Sequence, residues 1–383
     1  MKMVTILFTY NRPIHTKKVL QGLEQSYIHP KELYIFQDGP RADTDMEKWS
    51  EVNQMIKAVS FCDTHVIVSK ANKGLARSIM DGTKYVASKC DAFIVLEDDC
   101  VPTKNFLGYM YSSIEKYRDE KRVYCITGYA NKCTMDMDEY DAYFVRRTSS
   151  WGWATWSYCW NEFKPNPSDM DELRMDSEKS KQLLLWGNDL SNMLDANLNR
   201  GDDTWAIYWV LHVMSRDGLC LMPYKSLINN IGFDGTGVHG DCTREFDVDV
   251  EAEDRREWHL PNDISPNEGS IKYYLSHYGG YTALNTDKSK PHISIYGLGK
   301  YFRLNEKAIT EKYYIECFID KNKKGFWGGK EIIRPDVIEP EKITKVFVSL
   351  LNINEGRAVA AFLENEMGIE RENIKVLGCD GFL

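Results

Sequence analysis

Short apolar runs alternate with longer amphipathic segments through the first hundred residues. The apolar runs have the length and composition of β-strands: Met3–Thr9, Leu33–Gln37, His65–Ser69 and Ala92–Leu96. Between them, apolar residues recur at helical spacing in Ile14–Ser26, Met46–Ala58 and Leu75–Ala87. This alternation predicts an α/β fold whose central sheet is mostly parallel and carries helices on both faces. In such a sheet, ligands bind at the carboxyl ends of the strands.

The pattern is less regular from residue 122 onward. Further strands are predicted at Arg122–Thr127, at Tyr143–Val145 and, as an edge strand, at Leu219–Met222. A helix is predicted over Thr204–Arg216, with Asp202 or Asp203 as its N-cap. The glycine-rich stretch 229–240 is predicted to be a mobile loop.

A second unit is predicted to begin after the polar stretch 288–291. Its expected elements are the strands Ile293–Tyr296, Tyr314–Ile319, Lys345–Leu350 and Ile374–Leu377 and the helix Glu355–Met367. Gly297-Leu298-Gly299 is similar to the start of a dinucleotide-binding fingerprint, but Tyr301 and Phe302 follow where its third glycine would stand. We therefore predict a domain at 1–290 and a small Rossmann-like α/β domain at 291–383. A structural or regulatory role for the second domain is favoured over dinucleotide binding.

Composition excludes several classes of protein. The chain has 57 acidic and 48 basic residues, a formal net charge of −9, which disfavours binding to nucleic acid phosphates. Its 10 cysteines form no C-x-x-C pair, which predicts reduced thiols in a cytoplasmic protein. The sequence contains no run of 18 apolar residues, so no transmembrane segment is predicted.

Three carboxylates, Glu97, Asp98 and Asp99, follow the apolar run Phe93–Leu96. Carboxylates at the end of a buried strand repel one another and lose hydration unless a cation is present. A divalent cation held by one or two carboxylates can neutralise a diphosphate leaving group. The pattern therefore favours a metal site, and the alternative is an acidic turn that caps a helix beginning near Thr103.

Polar residues also follow the other predicted strands. Arg12 follows the first strand and has a donor fork suited to phosphate or base oxygens. Asp38 follows the second strand, where it could bind a base or ribose, and Asn72 follows the third. For Asp38 and Arg12 taken singly, a turn aspartate before Gly39 and a solvated arginine are equally good interpretations.

If the protein transfers a group from a diphosphate donor to an acceptor hydroxyl, two further segments could face the acceptor molecule. Asp203 could take a proton from an acceptor hydroxyl, but an aspartate there is an equally good helix cap. Of the clustered tryptophans, we expect Trp151 or Trp153 to lie near the acceptor and Trp156 to lie in the core, although such residues are more often core. His239, in the glycine-rich stretch, could reach a donor phosphate when that loop closes, although a lone loop histidine is usually just solvated.

The order of these motifs resembles that of inverting GT-A-fold glycosyltransferases, namely N-acetylglucosaminyltransferase I and bacterial family 2-like enzymes. The similarity covers roughly residues 3 to 241. It is carried by Thr9-Tyr10-Asn11-Arg12-Pro13, Gln37-Asp38, Asn72-Lys73-Gly74-Leu75-Ala76-Arg77, Glu97-Asp98-Asp99, Ser150-Trp151-Gly152-Trp153, Asp202-Asp203-Thr204-Trp205 and Val238-His239-Gly240.

The resemblance implies a role for each matching residue. In the donor site, Arg12 and Asp38 would hold the nucleotide, Asn72 would lie near the diphosphate, Asp99 would bind Mn²⁺ (or Mg²⁺) directly, and Asp98 would act from the side. Asp203 would be the catalytic base, with Asp202 the alternative because Thr204 shifts the motif. The implied reaction transfers a sugar, GlcNAc by resemblance, from a UDP-sugar to a glycan or lipid-linked acceptor. Such an acceptor would allow peripheral association with a membrane.

Two other functions compete with this one. A nucleotidyltransferase that makes sugar nucleotides would also use a metal and an α/β sheet, but its glycine-rich signature is missing after the first strand, where Tyr10-Asn11-Arg12-Pro13 stands. A catalytically inactive sugar-nucleotide-binding protein is the third possibility. The intact Asp38, Asp99 and Asp203 argue against it.

Overall fold

The computed structural model describes residues 1–131, 139–200, 204–237, 242–255 and 257–378. Within them the strands are β1 (Met3–Thr9), β2 (Glu32–Gln37), β3 (Asp63–Val68), β4 (Ala92–Glu97), β5 (Cys100–Pro102), β6 (Val123–Thr127), β7 (Ala142–Val145), β8 (Trp153–Trp156), β9 (Leu219–Pro223), β10 (Ile228–Asn230), β11 (His292–Tyr296), β12 (Tyr314–Ile319), β13 (Gly325–Trp327), β14 (Lys330–Ile333), β15 (Val346–Val348) and β16 (Ile374–Val376). The α-helices are α1 (Pro13–Glu24), α2 (Met46–Lys57), α3 (Leu75–Ala87), α4 (Phe106–Lys116), α5 (Ser157–Glu162), α6 (Pro167–Met175), α7 (Ser177–Leu185), α8 (Asn188–Arg200), α9 (Trp205–Ser215), α10 (Glu268–Tyr278), α11 (Lys300–Lys312) and α12 (Ile353–Asn365).

The chain divides into two compact units. The first comprises Met1–Pro165 and Asp203–Asn267, and the second Asn166–Asp202 and Glu268–Leu383. The units therefore do not separate at residue 290, where the sequence places a domain boundary. Helices α6, α7, α8 and α10 belong to the second unit, because α6 and α7 pack against β13 and the other two helices pack against α7.

The first unit is built on an eight-stranded sheet with the order β3-β2-β1-β4-β8-β6-β9-β7. Strands β3, β2, β1 and β4 are parallel, whereas β8 runs antiparallel to both β4 and β6. This mixed sheet confirms the predicted α/β class. Strand β9 is not an edge strand as predicted, since it pairs with β6 on one side and β7 on the other.

The centre of this sheet positions the loops of interest. Strand β4 lies between β1 and β8, and Ala92 to Leu96 are fully buried. Helix α1 begins at Pro13, whose fixed φ suits the first helical turn. Helix α3 packs so closely on β1 that a Cβ on Gly82 would lie 2.7 Å from the Phe8 ring. The carboxyl ends of β1, β2 and β4 thus form one edge of a rigid parallel half-sheet.

The second unit is built on a six-stranded sheet with the order β13-β14-β12-β11-β15-β16. All adjacent strands are parallel except β13 and β14, which form a hairpin that the sequence does not predict. One buried cluster includes Phe302 of α11 with Phe318 and Phe347, and the other includes Leu363 of α12 with Val346 and Val348. Helices α11 and α12 therefore each contribute to a separate apolar cluster of this mostly parallel α/β unit.

Candidate active site

Arg12 joins the loop after β1 to the loop after β4. Its Nη1 donates to Asp99 Oδ2 at 2.8 Å and lies 3.7 Å from Asp98 Oδ1. Its Nη2 donates to Thr236 Oγ1 at 3.0 Å. The Arg12 Nε is buried and has no hydrogen-bond partner among the described residues. Arg12 thus places positive charge, and one unused donor, at the carboxyl edge of the parallel strands.

The acidic residues at the end of β4 are in an unfavourable electrostatic environment. Desolvation, followed by repulsion from Asp99, raises the pKa of Asp98 to about 7. Desolvation, followed by repulsion from Asp99 and Asp98, raises the pKa of Glu97 well above its ordinary value, and Arg12 lowers the pKa of both groups. Positive charge supplied next to Asp98 and Asp99 would relieve this cost.

The loop after β10 closes tightly over Asp99. The backbone N–H of Ile231 donates to the Asp99 carbonyl oxygen at 2.9 Å. A Cβ on Gly232 would lie 2.2 Å from Asp99 Oδ2, closer than any real contact. Only a glycine at 232 leaves room for the carboxylate in this position.

These residues fit a metal site in which the protein supplies only one or two ligands. Within the described ranges, no three or more His, Cys, Asp or Glu side chains are grouped so as to hold a metal ion. Mg²⁺-type sites that bind a nucleotide use one or two carboxylates and complete the shell with phosphate oxygens and water. Asp99, with Asp98 beside it, matches that donor set.

Asp234 holds the glycine-rich segment against α1. Its Oδ2 lies 3.1 Å from His15 Nε2, and its Oδ1 lies 3.5 Å from Arg12 Nη2 and accepts from Thr236. The Thr236 hydrogen bonds, with His15 and Arg12, lower the pKa of Asp234 to about 2. The sequence predicts a mobile loop here but gives no sign of these contacts, because Asp234 and Arg12 are 222 residues apart.

Asp38 and Asn72 connect the loops after β2 and β3. The Asp38 carboxylate accepts from the backbone N–H groups of Gly39, Lys73 and Gly74 at 2.9 to 3.0 Å. Asn72 Nδ2 donates to the Gly39 carbonyl oxygen at 2.8 Å, and its Oδ1 accepts from Arg41 at 3.3 Å. Both residues therefore shape the loops. For Asp38 this agrees with the alternative of a turn aspartate before Gly39, whereas nothing in the sequence indicated such a role for Asn72.

A polar cluster that sequence reasoning missed lies beside this edge. Asp45 accepts from the Tyr10 hydroxyl at 2.7 Å and from Asn11 Nδ2 at 2.9 Å. The Arg41 guanidinium lies 5.6 Å from the centre of the Tyr10 ring. Tyr10 and Asn11 belong to the motif at residues 9–13, whose similarity to glycosyltransferases was the available signal. Nothing in the local sequence marks Asp45.

The tryptophans have different environments. Trp153 is fully buried among Phe93, Trp160 and Trp205, so the prediction that it faces an acceptor is wrong. Trp156 is buried as predicted. Trp151 is partly exposed and packs edge-on against Phe233. Gly152, between the two tryptophans, has φ +62°, so the backbone is not extended at that residue.

The remaining predicted site residues lie outside the described ranges. These are Asp202, Asp203 and His239. Helix α9 follows directly, and its N-cap is Thr204 rather than either aspartate. The cap interpretation of the aspartates is thereby corrected, and their catalytic interpretation stays a prediction.

Residues 5–163 match the family described as Glycosyl transferase family 2. The matched range contains Arg12, Asp38, Asn72, Asp98 and Asp99, which the fold brings to one edge of the parallel strands. Residues 5–163 form a glycosyl transferase family 2 domain. The predicted GT-A fold is confirmed for this domain, whereas the specific similarity to N-acetylglucosaminyltransferase I stays a prediction.

Several solved structures resemble the chain weakly. S. aureus TarS 1–349 in complex with UDP-GlcNAc is 11% identical, with 60% of this chain and 58% of that chain covered and a TM-score of 0.36. The mannosyltransferase PcManGT from Pyrobaculum calidifontis, in complex with GDP-Man and Mn²⁺, is 11% identical, with coverages of 40% and 44% and a TM-score of 0.29. A cytidylyltransferase from Leptospira borgpetersenii is 12% identical, with coverages of 45% and 64% and a TM-score of 0.27.

These similarities do not identify a donor, acceptor or metal for the glycosyltransferase domain. The chain covers less than two thirds of each of the three structures. Among curated proteins, none matches the sequence. Among the helices of the described ranges, none is long and apolar enough to cross a membrane.

Proposed function

We propose that the protein is an inverting, metal-dependent glycosyltransferase that moves a sugar from a UDP-sugar to an acceptor hydroxyl. The observation that carries this proposal is the pairing of Asp99 with Arg12 at the carboxyl edge of a glycosyl transferase family 2 domain. A carboxylate for a cation and a guanidinium for a diphosphate are what departure of a nucleoside diphosphate requires.

Asp99 would hold the cation, Mn²⁺ or Mg²⁺, with Asp98 beside it. A divalent cation bound there would neutralise charge on the leaving diphosphate. The same positive charge would lower the raised pKa of Asp98 and keep its carboxylate ionised near the sugar or ribose. Support for this assignment comes from the crowding of Glu97, Asp98 and Asp99, which is costly without a counter-charge.

The nucleotide end of the donor would be held by Arg12, Asp38 and Asn72. Arg12 has an unused Nε donor and lies between two acidic partners that a diphosphate could replace. Asp38 fixes the backbone at Lys73 and Gly74, so that the loop after β3 keeps its shape beside the nucleotide. Asn72 would approach the diphosphate from that loop.

On the acceptor side, Asp203 would remove the proton from the attacking hydroxyl, with Asp202 as the alternative base. His239 would contact a donor phosphate. Trp151, which is partly exposed, would offer a ring edge or face to the acceptor sugar. The acceptor would be a glycan or a lipid-linked sugar, and GlcNAc is the donor sugar that the sequence similarity suggests. In a cytoplasmic protein, a lipid-linked acceptor would bring the chain to the membrane surface.

Product analysis tests this function. The purified chain is incubated with Mn²⁺ and a panel of UDP-sugars that includes UDP-GlcNAc, and free UDP is measured with and without EDTA. We expect slow, Mn²⁺-dependent release of UDP. Asp203→Asn should lower the rate by orders of magnitude at near-normal donor affinity, and the same result in Asp202→Asn alone would move the base to Asp202.

The two alternatives give different products. A nucleotidyltransferase would consume the UDP-sugar only when pyrophosphate is added, with release of UTP. An inactive binding protein would bind the donor and release nothing. Either outcome would contradict the proposed transfer reaction.

A further inference from the structure

The carboxyl edge of the six-stranded sheet in the second unit has the topology of a ligand site. From β11 the chain builds the sheet to one side through β12 and β14, and then crosses to the other side with β15 and β16. The order therefore reverses between β11 and β15. In open parallel sheets, ligands bind in the crevice at such a reversal.

The loop after β11 leaves an open path to the start of α11. Gly297 has φ +95°, and the N–H of Leu298 donates to Asp320 Oδ2 at 2.9 Å, which fixes the turn. Gly299 is the N-cap of α11, and no side chain caps the helix there. A Cβ on Gly299 would meet nothing within 4 Å. The helix of 13 residues therefore begins beside open space, and the first backbone N–H groups of an α-helix have no partner within the helix.

A buried hydroxyl without a hydrogen-bond partner is the second observation at this sheet edge. Ser349 is fully buried, and its Oγ has no hydrogen-bond partner in the described part of the chain. The Ser349 N–H still pairs with the Tyr296 carbonyl oxygen at 2.8 Å, so strand geometry continues to this residue. Phe347, two residues earlier, belongs to the same buried cluster as Phe302 of α11. Because side chains alternate along a strand, Ser349 points to the same side of the sheet, towards the start of α11.

Charge and apolar exposure describe the ligand. The first turn of α11 contains Lys300 and Arg303 and no acidic residue, the reverse of the usual preference at a helix N-terminus. Leu351 and Ile353, which follow Ser349, are 66% and 38% exposed. Positive charge and free N–H groups suit a phosphate, and neighbouring exposed apolar side chains suit a nucleobase.

We propose that the second unit binds a nucleotide here, with its phosphates at the N-terminus of α11 and on the Ser349 hydroxyl. The ligand is a nucleoside diphosphate or a larger nucleotide that contains one. Phe302 is buried where a dinucleotide fingerprint has its third glycine, so the approach of helix and strand differs from that of a dehydrogenase site. This site is separate from the metal-dependent donor site of the glycosyltransferase domain and does not depend on it.

Calorimetry on the full chain in EDTA tests the proposal. The ligands are UDP, ADP, GDP and CDP, with inorganic pyrophosphate as the arm that lacks a base. We expect at least one nucleotide to bind, and to bind more tightly than pyrophosphate. Gly299→Asp places a capping carboxylate on the free N–H groups, where φ −98° suits any residue, and should weaken binding by more than about tenfold without loss of stability. Ser349→Ala should weaken it by a smaller factor.

The control is Lys312→Gln, which makes the same change in net charge at the other end of α11. It should bind the nucleotide as the wild type does. Absence of nucleotide binding in EDTA, or equal affinity of Gly299→Asp and wild type, would overturn the proposal. Equal affinity for pyrophosphate and nucleotide would overturn the assignment of a base-binding site. A failure of the glycosyltransferase assay would leave these results unchanged.

Discussion

The guanidinium of Arg12 donates to the carboxylate of Asp99 at 2.8 Å, and this contact joins the ends of β1 and β4. The two residues are 87 positions apart in the sequence. Their proximity places the positive and negative groups that a metal–diphosphate complex needs side by side. We expect this pairing to serve donor binding.

Arg12→Lys should raise the donor KM about tenfold, because lysine keeps the charge but loses the planar fork that reaches Asp99 and Thr236 together. The measurement is donor KM and kcat at saturating Mn²⁺. Arg118→Lys, at an exposed position after α4, should leave both unchanged. An unaltered KM in Arg12→Lys would show that the guanidinium does not contact the donor.

Gly232→Ala should reduce Mn²⁺-dependent activity without unfolding the domain. Its Cβ would lie 2.2 Å from Asp99 Oδ2 and would push that carboxylate away from the metal position. Gly108→Ala is the control, because its Cβ would meet only ordinary contacts at 3.7 Å. The comparison is the Mn²⁺ concentration for half-maximal activity, and equal values in the two variants would contradict the assigned role of Gly232.

Local pattern predicted the first half-sheet well. The bounds of β1 and α3 agree with the prediction to the residue, because each has a complete period of apolar positions and clear polar ends. The pattern of apolar residues failed where pairing with distant strands decides the position of a strand in the sheet. Strand β9 looks like an edge strand in sequence, but two distant strands, β6 and β7, cover both of its sides. The short β13–β14 hairpin has too few residues to show a period.

Only part of the candidate site was predicted from the sequence. Residues that directly follow strands, such as Arg12 and Asp99, could be assigned to one edge because parallel strands end together. The contact of Arg12 and His15 with Asp234 could not, since nothing in the local sequence says which distant loop covers the edge. Trp153 was misassigned because an alternating aromatic segment looks the same in a core strand as on a binding surface.

Trp153→Ala should destabilise the protein by about 3 to 5 kcal/mol, because it removes a fully buried indole from a cluster of aromatic rings. Trp151→Ala, at a partly exposed position, should cost much less stability and should raise the acceptor KM. Urea unfolding and acceptor kinetics of the two variants provide the test. Near-wild-type stability of Trp153→Ala would contradict its place in the core.

His212 should make stability depend on pH. Desolvation, followed by the nearby Arg216, lowers the pKa of His212 from 6.5 to about 4. As pH falls below about 6.5, the unfolded chain takes up this proton first, so stability is lost between about pH 6.5 and about 4 at up to about 1.4 kcal/mol per pH unit. His212→Phe should remove that part of the pH dependence. The measurement is the free energy of unfolding by urea at several pH values between 7.5 and 5. The same pH dependence in His212→Phe and wild type would contradict the shifted pKa.

Calorimetric titration of UDP with Mn²⁺ into wild type, Asp99→Asn and Asp81→Asn tests the central claim most directly. Asp99 is the assigned metal ligand, whereas Asp81 is an exposed aspartate on α3 that pairs with Lys73. The account predicts that Mn²⁺ tightens UDP binding in wild type and Asp81→Asn, and that this gain disappears in Asp99→Asn. An undiminished Mn²⁺-dependent gain in Asp99→Asn would contradict the assignment of the metal to this carboxylate.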